Sequence, residues 1–380
     1  MWLYLLIFLI PVVAYFTTDR TNSKNVKFLV AMMAFLAVFV GVSDMLGGYD
    51  RYIYGELFDS IADTIRRGGN PFLSAAYLFY DSEPGYMTFN VLVAYLTANR
   101  YIFILTLTLT VYFLLFLSLK KYAENYPLAV VLFMGMWYFF TFTYLRQVMG
   151  ASIAWLSIQY IINRDLKKFL LIMVLAFLFH NSAIILIPFY FIPVKKITPG
   201  AVICIMVVCL IIGLTSLPQT LFETYGEVDA DRANAGSYAM DAGFRYAYLF
   251  EAIFLLAIIL PNYRDIPSKR KDIVMLNIAL AFCGVLLIFV RSENGGRLSW
   301  YYMLGVITTI TGIASSRRQQ PAYGFMLVVM SLLLYIRILV SWDYMLMPYK
   351  TFFTDGYRTG DKIYQQFEYD HRYDRDKLYK

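Results

Sequence analysis

Apolar runs dominate the chain. They lie near 2–16, 26–42, 86–98, 101–119, 127–145, 147–162, 168–179, 182–193, 200–217, 246–261, 272–290, 298–314 and 322–341. Runs of this length without alternation read as helices, and the longer ones match the stretch that crosses a bilayer. The strongest polar interruptions are 43–85, 218–245 and everything beyond about 342. No repeat period stands out. The pattern predicts an all-α polytopic membrane protein, with one multi-pass unit over 1–345 and a polar C-terminal tail over 346–380.

Charge placement sets the sidedness. The loops bearing Arg20/Lys24/Lys27, Lys120/Lys121, Arg164/Lys167/Lys168, Lys195/Lys196, Arg264/Lys269/Arg270/Lys271 and Arg317/Arg318 hold every lysine before the tail. The positive-inside rule places all of them in the cytoplasm. The 43–85 loop has seven acids against three arginines, and the 218–245 loop has five acids against two. Neither contains lysine, and both are expected outside, together with the short turn 291–297.

Alternation then tests the helix count. Lys167/Lys168 and Lys195/Lys196 both belong inside, so one helix between them would invert every later loop. A hairpin resolves this: 168–179 rises, the chain turns near His180-Asn181-Ser182, and 182–193 returns. Each arm is roughly 17–20 Å long, short of a ~30 Å hydrocarbon core. Half-length helices are tolerated where they line a protein-buried cavity. The same logic makes 127–162 a hairpin topped by Thr143–Gln147, while 101–119 spans and 86–98 leans on the outer surface. The expectation is about twelve transmembrane or half-membrane helices with both termini outside. Met1–Phe16 lacks a positive n-region and is expected to be a retained helix rather than a cleaved leader.

Composition agrees and removes alternatives. Of 380 residues, 60% are hydrophobic and 16% charged, against roughly half and a quarter in soluble domains. The three cysteines lie inside apolar runs and the two histidines cannot form a His/Cys metal cluster. No basic stripe interleaved with aromatics offers a nucleic-acid site.

The outer half therefore collects the candidate chemistry. Arg146 and Gln147 sit at a hairpin top; Arg291 and Arg297 bracket Glu293-Asn294-Gly295-Gly296. Arginine presents a fixed planar fork suited to phosphate, although outer arginines also anchor to lipid headgroups or pair with acidic loops. Arg51 and Arg100 fall on the same side. His180 is the one histidine in the membrane portion, and histidine transfers protons near neutral pH. In the first outer loop Asp50, flanked by Tyr49, Tyr52 and Tyr54, is preferred over Asp44 as a proton acceptor. Glu83 begins an apolar stretch after a polar loop and also reads as a cap-like charge. Acids of this loop could hold a divalent cation, so metal dependence stays open, and no cofactor is called for. Arg337 lies inside the last apolar run, and an acid such as Glu251 is a candidate partner. Asp229-Ala230-Asp231 and Asp374-Arg375-Asp376 are short patterns expected by chance.

Several of these residues occur as an ordered set: Asp50 and Tyr54, Glu83-Pro84-Gly85-Tyr86, Leu145-Arg146-Gln147, Phe179-His180-Asn181-Ser182-Ala183, and Gly296-Arg297 followed by Trp300-Tyr301-Tyr302. In order and interval the set resembles the EpsG family of bacterial exopolysaccharide membrane proteins, over roughly 1–345. The resemblance implies a GT-C-like fold with short helices on the outer face, grouped with Wzy-type polysaccharide polymerases. It implies polymerisation of undecaprenyl-pyrophosphate-linked oligosaccharide repeat units on the outer face of the cytoplasmic membrane. The implied partners are those lipid-linked units, the bilayer, and the flippase and chain-length regulator of the same pathway. Asp50 or His180 would be catalytic, and Arg146, Gln147, Arg291, Arg297, Tyr54 and Glu83 would bind pyrophosphate or sugar. An O-antigen-ligase-like transferase and a flippase or transporter are the competing classes.

The sidedness is open to direct test. Alkaline phosphatase, active only outside the cytoplasm, should be active when fused after Gly69 and inactive when fused after Ala123. The opposite pattern would invert the topology.

Overall fold

The computed structural model describes residues 1–19, 22–79, 82–221, 243–293, 295–316, 321–354, 360–368 and 370–379. The D-x-D pattern at 229–231 and the pair Arg317/Arg318 lie outside the described residues. The described residues are helical, with one isolated bridge between Ser43 and Thr351.

The α-helices are α1 (Trp2–Thr17), α2 (Val26–Gly41), α3 (Tyr49–Arg66), α4 (Ala75–Phe79), α5 (Pro84–Ala94), α6 (Arg100–Tyr122), α7 (Tyr126–Met136), α8 (Phe140–Thr143), α9 (Leu145–Leu156), α10 (Ile158–Asn163) and α11 (Leu166–Phe179). There follow α12 (Pro199–Leu214), α13 (Tyr246–Ile259), α14 (Arg270–Ile288), α15 (Met303–Ser316), α16 (Pro321–Ser341), α17 (Asp343–Leu346) and α18 (Lys362–Phe367). Two 3₁₀ segments, Asn181–Phe191 and Gly295–Tyr302, complete the body of the bundle.

Side-chain caps begin many of these helices where the sequence turns from polar to apolar. Asn25, Asn99, Asn125 and Asp165 each accept a backbone N–H in the first turn of α2, α6, α7 and α11. Thr198 caps α12, with Pro199 in its first turn. α7 is apolar on all sides and all its residues are buried, so it is the central helix. It packs against α1, α2 and α16. The pairs α2/α6, α14/α15, α9/α11 and α12/α14 form the rest of the bundle. The outward faces stay apolar: Leu6 and Leu9 on α1, Leu171 and Val174 on α11, and Val207 and Ile211 on α12 are all exposed. Exposed apolar surface of this extent marks a membrane contact. α6, α14 and α16 are each long and apolar enough to cross a membrane, and several helices, including α1, α2, α12 and α13, are apolar but shorter.

The bundle has two chemically distinct ends. At the lower end the lysine-bearing loops meet. Lys24 and Lys271 both bind Glu124, at 2.5 and 2.9 Å; burial pushes its pKa up, and the hydrogen bonds and charges of the two lysines together outweigh burial and hold it below the usual carboxylate value. Lys196 donates to the carbonyl of Ile266 at 2.7 Å. The 168–193 hairpin is present: α11 packs on the returning 3₁₀ segment, and Arg164 at the foot of one arm donates to the carbonyls of Tyr190 and Ile192 at the foot of the other. At the upper end the acidic first loop, the hairpin tops and the 291–302 segment come together. Tyr4 donates to the carbonyl of Leu346 at 2.7 Å, so the first apolar helix begins beside the end of the last.

The tail is bound into the upper end rather than extended from it. Its backbone straps the α2–α3 connection: Asp44 N–H donates to Lys350 O at 2.9 Å and Phe352 N–H to Val42 O at 3.1 Å. Lys377 forms an ion pair with Asp44 at 3.2 Å. Arg100, only 2% exposed, binds Asp59 of α3 at 2.5 Å and Glu368 of the tail at 3.0 Å, and stacks over Tyr373 at 4.5 Å. Tyr373 donates to the other oxygen of Asp59 at 3.3 Å. The mixed charges of the tail are thus partners for buried charges elsewhere. Asp44 and Arg100, two of the candidate outer charges, have structural roles here. So does Arg51, wholly buried and donating to the carbonyls of Val40 and Phe142 at 2.8 and 3.1 Å.

Breaking a buried pair leaves an uncompensated charge. Arg100→Ala should therefore lower stability by about 3–5 kcal/mol, whereas Arg372→Ala, whose Asp370 pair is exposed, should have little effect. Denaturation of the purified protein in detergent measures both. Equal small effects would show that the tail does not clamp α3.

Candidate functional site

Five separate elements deliver side chains to one cluster at the upper end. Glu83 precedes α5 and is 1% exposed. It makes no side-chain cap to its own helix; the carboxylate instead binds Arg146 at 2.7 Å, in the first turn of α9. Its other oxygen lies 3.9 Å from His180 Nε2. The cap-like alternative for Glu83 is therefore replaced by a long-range role.

His180 sits where α11 ends and the chain becomes extended. Its Nδ1 accepts the Ser182 backbone N–H at 3.3 Å and lies 2.7 Å from Ser182 Oγ. A nitrogen that accepts a backbone N–H carries no proton, so the neutral ring presents Nε2–H towards Glu83. Ser182 Oγ also lies 2.8 Å from Tyr301 OH, and Gln147 donates to it at 3.3 Å. Gln147 donates equally to the carbonyl of Arg297 at 3.3 Å. The Arg297 guanidinium lies over the Tyr144 ring at 4.7 Å.

Two glycines allow this close assembly. A Cβ on Gly85 would come within 2.8–3.0 Å of Leu178, including its backbone carbonyl, so α5 can approach the end of α11 only without a side chain there. A Cβ on Gly150 would meet His180 Cβ at 2.9 Å.

α3 closes the cluster. Tyr54, 4% exposed, lies beneath the Arg146 guanidinium, 5.6 Å from ring centre to charge. Asp50, one turn earlier, is half-buried, and among the described residues its carboxylate makes no hydrogen bond or ion pair. Burial raises its pKa above the usual carboxylate value, and the nearby positive charges of Arg146 and Arg297 partly oppose that rise. The polar atoms of the cluster that are buried without a hydrogen-bond partner among the described residues include the acceptors Glu83 Oε1, Gln147 Oε1 and Asn181 Oδ1. Buried atoms of this kind cost free energy unless something satisfies them, and hydroxyl-rich ligands are suited to do so.

Seven of the eight candidate residues thus come together: Asp50, Tyr54, Glu83, Arg146, Gln147, His180 and Arg297. Arg291 is directed elsewhere, donating to Leu214 O at the upper end of α12 at 3.3 Å. Ser182, Tyr301 and Tyr144 join the cluster without having been singled out; Ser182 and Tyr301 lie within the very motifs that flag His180 and Arg297. Among the described residues no group of three His, Cys, Asp or Glu side chains is placed to hold a metal ion.

Among the described residues, an all-helical bundle with apolar outward faces and a buried polar cluster at one end fits a membrane protein. The EpsG family model matches residues 27–351, and the chain belongs to that family. Neither the comparison with curated proteins nor that with solved structures gave a match.

Gly150→Ala should push His180 away from Ser182 and Glu83. The expected result is loss of the cluster's function with the bundle still folded, seen as normal yield and helicity but at least about tenfold lower activity, the effect of displacing a positioned group by about an ångström. Unchanged activity would mean that His180 placement does not matter.

Proposed function

We propose that the chain is a polysaccharide polymerase that joins polyprenyl-pyrophosphate-linked oligosaccharide repeat units by glycosyl transfer. The upper end of the bundle is the working face, turned away from the cytoplasm, and the chain passes about twelve times between the two faces. Family membership supports the polymer-forming role. The observation that carries the site is the convergence of an unpaired carboxylate, Asp50, with two arginines, Arg146 and Arg297, at the end opposite the lysine loops. Nucleotide donors are made on the lysine side, so a donor used at the upper end must already be attached to a lipid.

In this reading the donor is the growing chain on its pyrophosphate lipid, and the acceptor is the non-reducing end of a new repeat. The acceptor hydroxyl oxygen forms a bond to the anomeric carbon while the bond from that carbon to the phosphate oxygen breaks. The bonding pair leaves with the pyrophosphate, which needs no protonation. Arg146 spends one of its donors on Glu83; the guanidinium has five, and with Arg297 it stabilises the charge that develops on the leaving group. Asp50 accepts the hydroxyl proton. His180 is the weaker candidate for that task because its unprotonated nitrogen is occupied by Ser182; it orients Glu83, which fixes Arg146. Gln147 Oε1 and Asn181 Oδ1 are acceptors for sugar hydroxyls, with Tyr54 bordering the groove.

Asp50→Asn should reduce transfer by about 10²–10⁴-fold, the usual range for a lost general base, and cells should display single repeats in place of polymer. The pH dependence has a definite sign. Asp50 accepts a proton only when ionised, and its pKa is raised. Activity should therefore climb with pH through a midpoint above 3.8, the ordinary value, and the Asn variant should lose that limb. Long polymer retained by Asp50→Asn would sink the assignment. Accumulation of long lipid-linked chains would point to a ligase, and single repeats trapped on the inner leaflet to a flippase.

A further inference from the structure

Arg297 faces the Glu83 cluster on one side. On its other side lies a cavity of about 300 Å³, at the small end of ligand pockets. Its walls are α13 and α16, whose main packing partners lie elsewhere, on α14 and α7 respectively. The floor is apolar, with Phe282, Leu286 and Leu334, and the upper wall is aromatic, with Phe140, Trp300 and Trp342.

Two ionisable groups in apolar helices also face this cavity: Glu251 of α13 and Arg337 of α16. They act on one another electrostatically, yet no ion pair joins them among the described residues. Glu251 is five residues inside the upper end of α13, roughly 8 Å along the helix. Arg337 is four residues from the upper end of α16, roughly 6 Å. Charges within membrane helices are costly and are kept where they serve a function. Here a cation, an anion and Arg297 surround an apolar and aromatic cavity just beneath the upper surface. That combination fits an amphiphile whose anionic head is at headgroup depth and whose tail is hydrocarbon. A sugar would leave the apolar floor unmatched, and a free inorganic anion would leave the aromatic wall without purpose.

We propose that this cavity binds the phosphate-proximal end of an isoprenoid phosphate lipid, with Arg337 and Arg297 on the phosphate and Trp300, Trp342, Leu286 and Leu334 around the first isoprene units. Glu251 keeps Arg337 turned into the cavity while the site is empty. This rests on the reading of the protein as a user of lipid-linked donors, and it adds where the lipid enters: laterally between α13 and α16, delivering its pyrophosphate to Arg297 from the side opposite Asp50.

The test needs no turnover. The purified full chain in nanodiscs is photolabelled with a benzophenone-bearing farnesyl pyrophosphate, and the crosslinks are mapped by mass spectrometry. Crosslinks are expected within 246–259 and 334–342. Undecaprenyl phosphate should compete and inorganic pyrophosphate should not. Arg337→Leu should cut labelling by about tenfold, as expected for one lost charge-assisted contact, and Arg337→Lys should restore part of it. Leu334→Trp, which fills the cavity without touching a charge, should also block labelling. Asp50→Asn should label normally, which separates this proposal from the polymerase reading: labelling with intact polymerisation in Asp50→Asn would sink only the catalytic assignment. Crosslinks confined to the exposed faces of α1 or α12, labelling indifferent to both Arg337→Leu and Leu334→Trp, or equal competition by inorganic pyrophosphate would overturn the cavity.

Discussion

A carboxylate that is 1% exposed is costly to bury unless a hydrogen-bonded partner stands beside it. Glu83 meets this requirement with Arg146, and much of the upper end follows from that pair. To reach Glu83, α9 must begin beside the start of α5. To bring His180 to the second carboxylate oxygen, α11 must end there as well. The close crossings at Gly85 and Gly150 serve these meetings. Once Arg146 is fixed it becomes a platform for Tyr54 and a nearby positive field for Asp50, both on α3. One buried charge thus sets the mutual positions of four helices. The buried acceptors left without partners are the consequence of building a polar site from groups that also hold the fold together.

The same constraint explains what could be read from the chain before folding. The gathering of the lysine loops at one end was legible because it depends on where charges cannot go. Lys24, Lys196 and Lys271 do gather at one end with Glu124 between two of them. The hairpin at His180 was legible from the pairs Lys167/Lys168 and Lys195/Lys196, which leave no other parity. The returning arm as a 3₁₀ segment was not, because an apolar run with Pro188 inside it fits several backbone geometries. Arg146, His180 and Arg297 were visible as rare polar residues in apolar surroundings. Their connections were not, since Ser182 and Tyr301 are ordinary residues until they lie within 2.8 Å of one another. Arg51 and Arg100 carried the same sequence signal as Arg146 and proved to be internal fasteners. An arginine's type and depth do not reveal whether its partner is a carbonyl, a carboxylate or a substrate.

The tail shows the limit from another direction. The family match ends at residue 351, so Glu368, Tyr373 and Lys377 stand beyond it. These residues nevertheless satisfy Arg100, Asp59 and Asp44, three charged groups within the matched region. Composition alone could describe the tail only as mixed in charge, because its purpose lies in the helices it touches. Its position also matters for the site: the tail presses on α3, and α3 carries Asp50 and Tyr54.

Arg297 is the point where the chemistry and the membrane meet. Its carbonyl is tied to Gln147 and its guanidinium lies on Tyr144, so it has little freedom to move. One face looks to Asp50 and the Glu83 cluster; the other lines the cavity that holds Glu251 and Arg337. The proposed transfer between two lipid-linked chains would have to handle an apolar anchor and a polar glycan at once, and neither medium suits both. A fixed cation between an apolar pocket and a polar groove resolves that conflict, because the pyrophosphate joins the two parts of the donor. The lipid can stay beside the helices while the sugar reaches the carboxylate, and only the charged joint must be held in place. On that reading the polar cluster belongs at one end of the bundle, beside the cavity that Arg297 also lines.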